Sequence, residues 1–191
     1  MPAPTFPAGD TFRSADYGPA MTAPLYIITG AMAAGKSTIA KALVQRFEKS
    51  AHVGGDAFLR MIVRGGAVMG PVLDAEALAQ LHLRQDIAMD AVRRFVGAGF
   101  TTIYQDILIG ADFTRVTTAL ADLSPRIVVL NPDVATLAQR DRDRAKTGYG
   151  DHFPPDALAE ALNRDTERRG LWIDSSALGV EAVVEEILAA W

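Results

Sequence analysis

Short apolar runs alternate with longer amphipathic stretches along most of the chain. The short runs have the length and composition of buried strands, and they occupy residues 25–29, 51–54, 101–105, 127–130 and 171–173. Apolar residues at helical spacing predict helices over residues 36–47, 74–96, 111–123, 133–145, 156–169 and 180–191. Strands that alternate regularly with helices are typical of right-handed βαβ units. The pattern therefore predicts an α/β fold of three layers, a parallel sheet with helices on both faces.

Two of the predicted helices begin at residues that favour helix starts. Asp74 suits the N-cap of the longest helix, and Asn131 with Pro132 suits the cap and first turn of another. The side chains expected on the inner face of the long helix are Leu78, Leu81, Ala88, Ala91, Val92 and Phe95. These positions predict how the long helix packs on the sheet.

The first 24 residues differ from the rest of the chain. They are rich in Pro, Ala and Gly, and they show no apolar period and no features of a signal peptide. We therefore expect residues 1–24 to be a flexible leader, because such a composition cannot bury enough apolar surface to order itself. Residues 25–191 are long enough for one domain with a proper core.

Composition and charge argue against several classes of partner. Hydrophobic residues make up 49% and charged residues 22% of the 191, and the net charge of −4 argues against nucleic acid as a partner. There is no cysteine, and the three histidines are scattered, which argues against a zinc site. No apolar run approaches the roughly eighteen residues that span a bilayer. We expect no membrane partner and a cytoplasmic location.

One motif carries chemistry directly, G-x-x-x-x-G-K-S over Gly30–Ser37, between the first strand and the first helix. Its glycines allow successive backbone N–H groups to point at phosphate oxygens, and the helix that follows adds its positive end. Lys36 can reach the β- and γ-phosphates, and Ser37 can ligate Mg²⁺. The motif predicts ATP with Mg²⁺ as ligands. The predicted nucleotide contacts are Gly30, Ala31, Met32, Ala33, Ala34, Gly35, Lys36, Ser37 and Thr38.

Signatures of other P-loop classes are absent from the sequence. An AAA-type motor would end an apolar strand in Asp-Glu, whereas Asp106 is followed by Ile107. A GTPase would carry Asn-Lys-x-Asp, and residues 131–133 read Asn-Pro-Asp. A compact kinase-like domain remains, in which a mobile lid closes over a small acceptor.

Four segments resemble the chloramphenicol phosphotransferase-like branch of P-loop small-molecule kinases, within the broader group of shikimate- and gluconate-kinase-like phosphotransferases. The segments are Val53–Asp56, Ile103–Gly110, Arg140 to Arg144 with Lys146–Gly150, and Leu171–Ser176. The resemblance implies a P-loop fold with strand order 2-3-1-4-5 and a small lid. It also implies ATP with Mg²⁺, and it places Ser175 and Ser176 in a loop beside the adenine.

Two carboxylates are candidates for chemistry at the ends of strands. Asp56 follows the second strand, where it would accept the proton of an acceptor hydroxyl, as the matching residue of the family does; alternatively it caps the next helix. Asp106 ends the third strand and would hold Mg²⁺ through a water or orient the acceptor, unless it is a turn residue. Gln105 should point to the opposite face.

Two pairs of arginines have the spacing of one helical face. Arg140 and Arg144 would lie over the adenine and the transferring phosphate, with Arg142 pointing away. The alternative is a solvated helix, because Asp141 and Asp143 are interleaved with these arginines. The second pair, Arg164 and Arg168, is left open between the same two roles.

The acceptor itself is not fixed by the sequence. Its contacts are expected from residues 58–84, where an anionic acceptor would use Arg60 or Arg64 and a neutral one would leave them at the surface. The expected function is ATP-dependent transfer of phosphate to a hydroxyl of a small molecule, an antibiotic or a metabolite. The alternatives are a nucleoside or nucleotide kinase and a non-catalytic ATP-binding regulator. A monomer and a homodimer are both compatible with the sequence.

Overall fold

The regular elements were located in a computed structural model, which describes residues 23–70, 72–143 and 155–191. The strands are β1 (Leu25–Gly30), β2 (Ser50–Gly54), β3 (Thr101–Gln105), β4 (Arg126–Leu130) and β5 (Leu171–Ile173). The helices are α1 (Lys36–Val44), α2 (Gly55–Met61), α3 (Ala75–Gly97), α4 (Ala111–Ala119), α5 (Val134–Arg142), α6 (Pro155–Asp165) and α7 (Val180–Ala189). A short 3₁₀ turn, Ala121–Leu123, follows α4. The predicted leader falls almost wholly outside the described residues.

The five strands form one parallel sheet in the order β2-β3-β1-β4-β5. The central strand β1 pairs with β3 on one side and with β4 on the other, so that Ile27 lies between Tyr104 and Ile127. The predicted fold class and strand order are confirmed. Since all strands run the same way, their carboxyl ends, with the loops that follow, meet at one edge of the sheet.

Alternate side chains of β1 enter two separate cores. Tyr26 and Ile28 pack in the core that includes residues of α1 and α7. Leu25 and Ile27 pack in the opposite core, which includes residues of α3 and α4. This division follows from the two-residue period of a strand. The central strand is buried on both faces, which accounts for its uninterrupted apolar run.

The start of α3 is as predicted, but part of its inner face is not. Asp74 accepts a hydrogen bond of 2.8 Å from the N–H of Ala77 and caps the helix. Ala88 and Val92 are fully buried, whereas Leu78 and Phe95 are 41% and 40% exposed. The buried face runs instead through Ala77, Arg84, Gln85, Ala88, Met89, Val92 and Val96. Arg84 and Gln85 are polar but lie on the buried face. The rotation of α3 that hydrophobicity alone predicts is therefore wrong.

The cap of α5 is Asp133, and the prediction of Asn131 for this role is wrong. Asp133 accepts a hydrogen bond of 2.6 Å from the N–H of Thr136. The N–H of Asn131 donates to the carbonyl of Ile173 at 2.9 Å, which continues the pairing of β4 with β5. This bond keeps Asn131 beside β5, and the helix begins three residues later.

None of the described helices combines the length and the apolar composition that a membrane span needs.

Candidate active site

A cavity of about 890 Å³ opens at the carboxyl ends of the strands. Its lining includes residues that follow each of the five strands, namely Met32–Ile39, Asp56, Asp106, Arg140 and Ser175. A crevice at this edge of an open parallel sheet is where ligands bind in such folds. Topology thus brings together side chains from the P-loop and from the segments that follow the other four strands.

The loop between β1 and α1 has a backbone conformation and a helix start that suit the binding of an anion. Gly30, Ala33 and Gly35 have φ values of 148°, 63° and 98°. A Cβ on Gly30 would overlap the carbonyl oxygen of Leu130, so the close approach of β4 requires glycine. Gly35 caps α1 without a side-chain hydrogen bond, and the first turn of the helix contains no acidic residue. Nothing in that turn opposes an anion at the positive end of the helix.

The Lys36 side chain is held at the edge of the cavity by this loop. Its ammonium donates to the carbonyl oxygens of Gly30, at 3.1 Å, and Ala31, at 2.8 Å, and the residue is only 9% exposed. Gly30 and Ala31 themselves are buried and are not among the described residues that line the cavity. These two hydrogen bonds hold the buried positive charge of Lys36 next to the loop.

The Asp106 carboxylate is fixed from two sides. One oxygen accepts a hydrogen bond of 2.8 Å from the N–H of Ile107, and the other accepts one of 3.3 Å from the hydroxyl of Tyr104. The buried hydroxyl of Thr29 bonds both the carbonyl and the N–H of Leu108 at 2.9 Å. Because Thr29 precedes the P-loop, it ties the segment that contains Asp106 to the phosphate-binding loop.

Charge around Asp106 is mixed. Burial raises the pKa of the Asp106 carboxyl, and the negative charge of Asp56 raises it further. The hydrogen bond from the N–H of Ile107 and the positive charges of Lys36 and Arg84 lower the pKa of Asp106. Asp56 and Asp106 both line the cavity. A cation bound beside Asp106 would favour the ionised form of its carboxyl.

Asp56 lines the cavity in the first turn of α2, with an exposed side chain. The alternative role of helix cap is not what the structure shows, because the cap position belongs to Gly54 and has no side-chain hydrogen bond. Gly55 has a different role in the same turn. A Cβ added there would overlap the carboxyl group of Asp106, so the absence of a side chain leaves room for that group.

Arg140 bridges two loops of the cavity. Its guanidinium donates to the carbonyl of Ala34 at 3.3 Å, and to the hydroxyl and carbonyl of Ser175 at 3.5 and 2.6 Å. Arg142 is exposed and hydrogen-bonds Gln139, so it points away as expected. The second predicted arginine, Arg144, lies outside the described residues, as does the segment Lys146–Gly150.

The two predicted adenine-side serines have different surroundings. Ser175 is buried and lines the cavity. Ser176 accepts a hydrogen bond of 2.8 Å from the N–H of Asp133 and donates one of 2.5 Å to Asp174, and it is not among the lining residues that the structure describes. Its hydroxyl fixes the loop after β5 against the start of α5.

The cavity has two ends with different linings. The β5 end is bounded by Leu158, Leu178, Val180 and Val183 beside Arg140 and Ser175. The β3 end is bounded by Leu59, Met69, Leu73, Leu81, Arg84, Gln105 and Asp112 beside Asp56 and Asp106. The largely apolar lining of the β5 end suits a nucleotide base. The lining of the β3 end mixes apolar and charged residues and suits a second, more polar ligand.

Several side chains near the β3 end differ from expectation. Arg60 and Arg64, the cations expected for an anionic acceptor, are exposed and absent from the described lining. Arg84 lines it instead, at the last position of the predicted stretch. Gln105 was expected on the opposite face, yet it is buried and lines the cavity.

The second arginine pair is occupied elsewhere. Arg164 pairs with Asp165, and the Arg168 guanidinium lies 4.0 Å from the centre of the Trp172 ring. Neither residue is part of the described lining of the cavity.

The oxygen groups beside the P-loop fit a magnesium ion. Among the described residues there is no cluster of three or more potential metal-binding side chains. Mg²⁺ bound with a nucleotide uses one or two protein oxygens and keeps several waters, so a larger cluster is not required. The hydroxyl of Ser37 and the carboxylate of Asp106 both line the cavity and could supply these oxygens.

Comparison with known proteins agrees with this geometry. The chain matches the family described as AAA domain over residues 25–169, and it belongs to that family. No curated protein matches the sequence. The remaining similarity is to solved structures.

Three of these structures cover almost the whole domain. The Deinococcus radiodurans tunicamycin resistance protein is 21% identical, with a TM-score of 0.64 over 88% of this chain and 95% of its own. The Mycobacterium tuberculosis APS kinase, in complex with AMPPNP and APS, is 17% identical, with a TM-score of 0.65 over 90% and 98%. Shikimate kinase from Acinetobacter baumannii, in complex with shikimate, is 17% identical, with a TM-score of 0.62 over 88% and 93%. At these identities the likeness shows that the chain shares the fold of these three proteins.

Proposed function

We propose that this member of the AAA domain family is an ATP-dependent phosphotransferase that acts on a hydroxyl of a small molecule, an antibiotic or a metabolite. The resemblance of its segments to the chloramphenicol phosphotransferase-like branch supports this proposal. The observation that carries it is the presence of Lys36, Asp56 and Asp106 around one cavity beside the P-loop. A phosphate-binding loop and a carboxylate that lines the same cavity are the two elements that transfer to a hydroxyl requires.

The transfer follows from the positions of these groups. The acceptor hydroxyl occupies the β3 end, and Asp56 takes its proton as the oxygen attacks the γ-phosphorus of ATP. One oxygen–phosphorus bond forms, the bond from the γ-phosphorus to the bridging β–γ oxygen breaks, and ADP leaves. Lys36 offsets the charge on the phosphate oxygens, and the cavity walls hold the two substrates in line.

A magnesium ion would be held by Ser37 and Asp106, and when bound it neutralises charge on the phosphates. The hydrogen bonds from Tyr104 and Ile107 to the Asp106 carboxylate, and the bond of Thr29 to Leu108 in the same segment, support this role. The lining of the β5 end would take the adenine, with Ser175 and Arg140 at its edge.

The proposal is tested by a screen of hydroxylated metabolites and antibiotics with ATP and Mg²⁺. We expect at least one compound to gain the mass of one phosphate while ATP is converted to ADP in equal amount. The Lys36→Ala variant serves as the control for contaminating kinases. Tight ATP binding without any acceptor would instead favour a regulator that responds to the bound nucleotide.

The contact between Gly55 and Asp106 gives one testable prediction. Gly55→Ala places a methyl group where the Asp106 carboxyl lies, so the carboxyl must move. We expect turnover to fall by about tenfold to a hundredfold, because second-sphere positioning of a metal-binding group is usually worth that much. The required Mg²⁺ concentration should rise. Gly97→Ala is the matched control, because a Cβ on Gly97 meets no atom within 4 Å; equal turnover of the two variants would contradict the prediction.

Arg140 gives a second prediction. Arg140→Ala should lower turnover about a hundredfold while ATP affinity changes far less, if the guanidinium acts mainly on charge that develops during transfer. The structure adds that the same side chain joins the P-loop to Ser175, so the melting temperature should fall as well. Turnover, ATP affinity and melting are measured together, with Arg142→Ala as the exposed control. Normal turnover with a lowered melting temperature would mean that Arg140 only joins the P-loop to Ser175 and does not act in transfer.

A further inference from the structure

The β3 end of the cavity contains a buried cation for which phosphate transfer, as described, has no use. Arg84 lies on the inner face of α3, between Leu81 and Ala88, and is only 7% exposed. Its side chain lines the cavity together with Asp56 and Asp106. An arginine on the inner face of an amphipathic helix is unusual, because a guanidinium keeps its charge and loses hydration there.

The partners of Arg84 within the protein are weak. One terminal nitrogen lies 3.6 Å from the sulfur of Met69, which is a poor acceptor, and the Nε atom is buried without a hydrogen-bond partner. No carboxylate of the described residues lies within ion-pairing distance of Arg84. By contrast, Arg46, Arg93, Arg115 and Arg164 each form an ion pair with a carboxylate of the described residues.

An unpaired buried guanidinium destabilises the folded protein unless a ligand completes its hydrogen bonds. The positive charge of Arg84 lowers the pKa of Asp106. That interaction acts through space and leaves the donor at Nε without an acceptor. The free donor, the burial and the cavity together indicate a missing acceptor of hydrogen bonds.

We propose that Arg84 binds an anionic group of the acceptor, so that the small molecule carries a carboxylate, sulfate or phosphate in addition to its hydroxyl. This inference rests on the proposed function and narrows its substrate class. A planar guanidinium matches two oxygens of such a group, and these charge-assisted bonds are strong when they are buried.

The other charges of the β3 end shape the acceptor further. Asp56, Asp106 and Asp112 also line it, and they would repel a bare anion. A molecule with a hydroxyl beside Asp56 and an anionic group on Arg84 satisfies both kinds of group at once. Selectivity then comes from Arg84, the one cation among the described residues of this wall, because an uncharged acceptor would leave the guanidinium buried and unpaired.

Binding is measured first, without transfer. The protein is saturated with Mg²⁺ and a non-hydrolysable ATP analogue, which occupies the P-loop, and is titrated with sulfate, methylphosphonate or acetate. The arginine Nε–H signal, assigned with Arg84→Lys, is followed by nuclear magnetic resonance, and chloride at equal ionic strength is the control. We expect a saturable shift of the Arg84 signal, with a Kd in the millimolar range, for at least one oxyanion. No saturable shift with any of the three would overturn the proposal.

Transfer is measured next with pairs of compounds that differ in charge, such as gluconate with glucitol and glucose 6-phosphate with glucose. An anionic member should exceed its uncharged partner in kcat/KM by about a hundredfold, and Arg84→Met should remove that preference. Arg94→Met, on the exposed side of the same helix, should keep it. Equal kcat/KM for the anionic and uncharged members would overturn the proposed role of Arg84 but would still support the proposed phosphotransferase activity. Oxyanion binding without transfer to any compound would contradict the proposed function instead.

Discussion

Lys36→Ala is expected to lower the affinity for ATP with Mg²⁺ by about a hundredfold or more, because it removes a buried charge aimed at phosphate. Lys36 is 9% exposed, and its ammonium already lies beside the P-loop through the carbonyls of Gly30 and Ala31. The binding site therefore loses a positioned group rather than a flexible one. The fold should persist, because β1 and its apolar neighbours are unaffected. Titration calorimetry measures the affinity, and circular dichroism checks the fold.

The matched control for this prediction is Lys41→Ala, in the last turn of the same helix. Lys41 is exposed and far along α1 from the P-loop, so its loss should leave ATP affinity unchanged. Undiminished affinity of the Lys36 variant would contradict the assignment of the loop as the phosphate site. A matching loss in the Lys41 variant would indicate that helix stability, and not the ammonium at the loop, is being measured.

The fold could be predicted from the sequence because its signals are local. Each strand is a short apolar run, and each connection contains a helical period, so the βαβ units follow from neighbouring residues. Errors arose where a distant partner decides the outcome. Asn131 does not cap a helix because its N–H bonds Ile173, which is far away in the sequence. Leu78 is exposed because contact with the sheet, and not hydrophobicity alone, sets the rotation of α3.

One part of the candidate site follows from local sequence, and the other part depends on contacts between distant residues. Gly30–Ser37 is recognisable because eight consecutive residues make most of the proposed phosphate site. The positions of Asp106 and Arg84 depend on contacts that no local pattern contains. Thr29 and Leu108, which hold the loop of Asp106, are 79 residues apart in the chain. Arg84 is buried and its guanidinium contacts Met69, 15 residues away, and no local pattern in the sequence predicts this.

Asp56→Asn is expected to reduce phosphate transfer by about a hundredfold to ten-thousandfold, the usual worth of a positioned general base. Asparagine keeps the size of the side chain but cannot take the proton of the acceptor. Asp56 lines the cavity from the first turn of α2, whose cap position belongs to Gly54, so the exchange does not remove a helix cap. ATP should bind normally, because the nucleotide contacts that we propose come from Gly30–Ser37. The smaller effect is expected if positioning and charge neutralisation carry most of the transfer.

The measurement for Asp56→Asn is single-turnover transfer at saturating ATP, with an acceptor found by the screen described above. Asp90→Asn, on the exposed side of α3, is the control for the loss of one negative charge from the surface. ATP affinity and melting temperature of the Asp56 variant should match those of the parent, since the carboxylate is exposed and no apolar contact is lost. Transfer at the parent rate would rule out Asp56 as the base. Asp106 would then be the leading candidate, because it is the other carboxylate beside Lys36, and Asp106→Asn would be the next variant to measure.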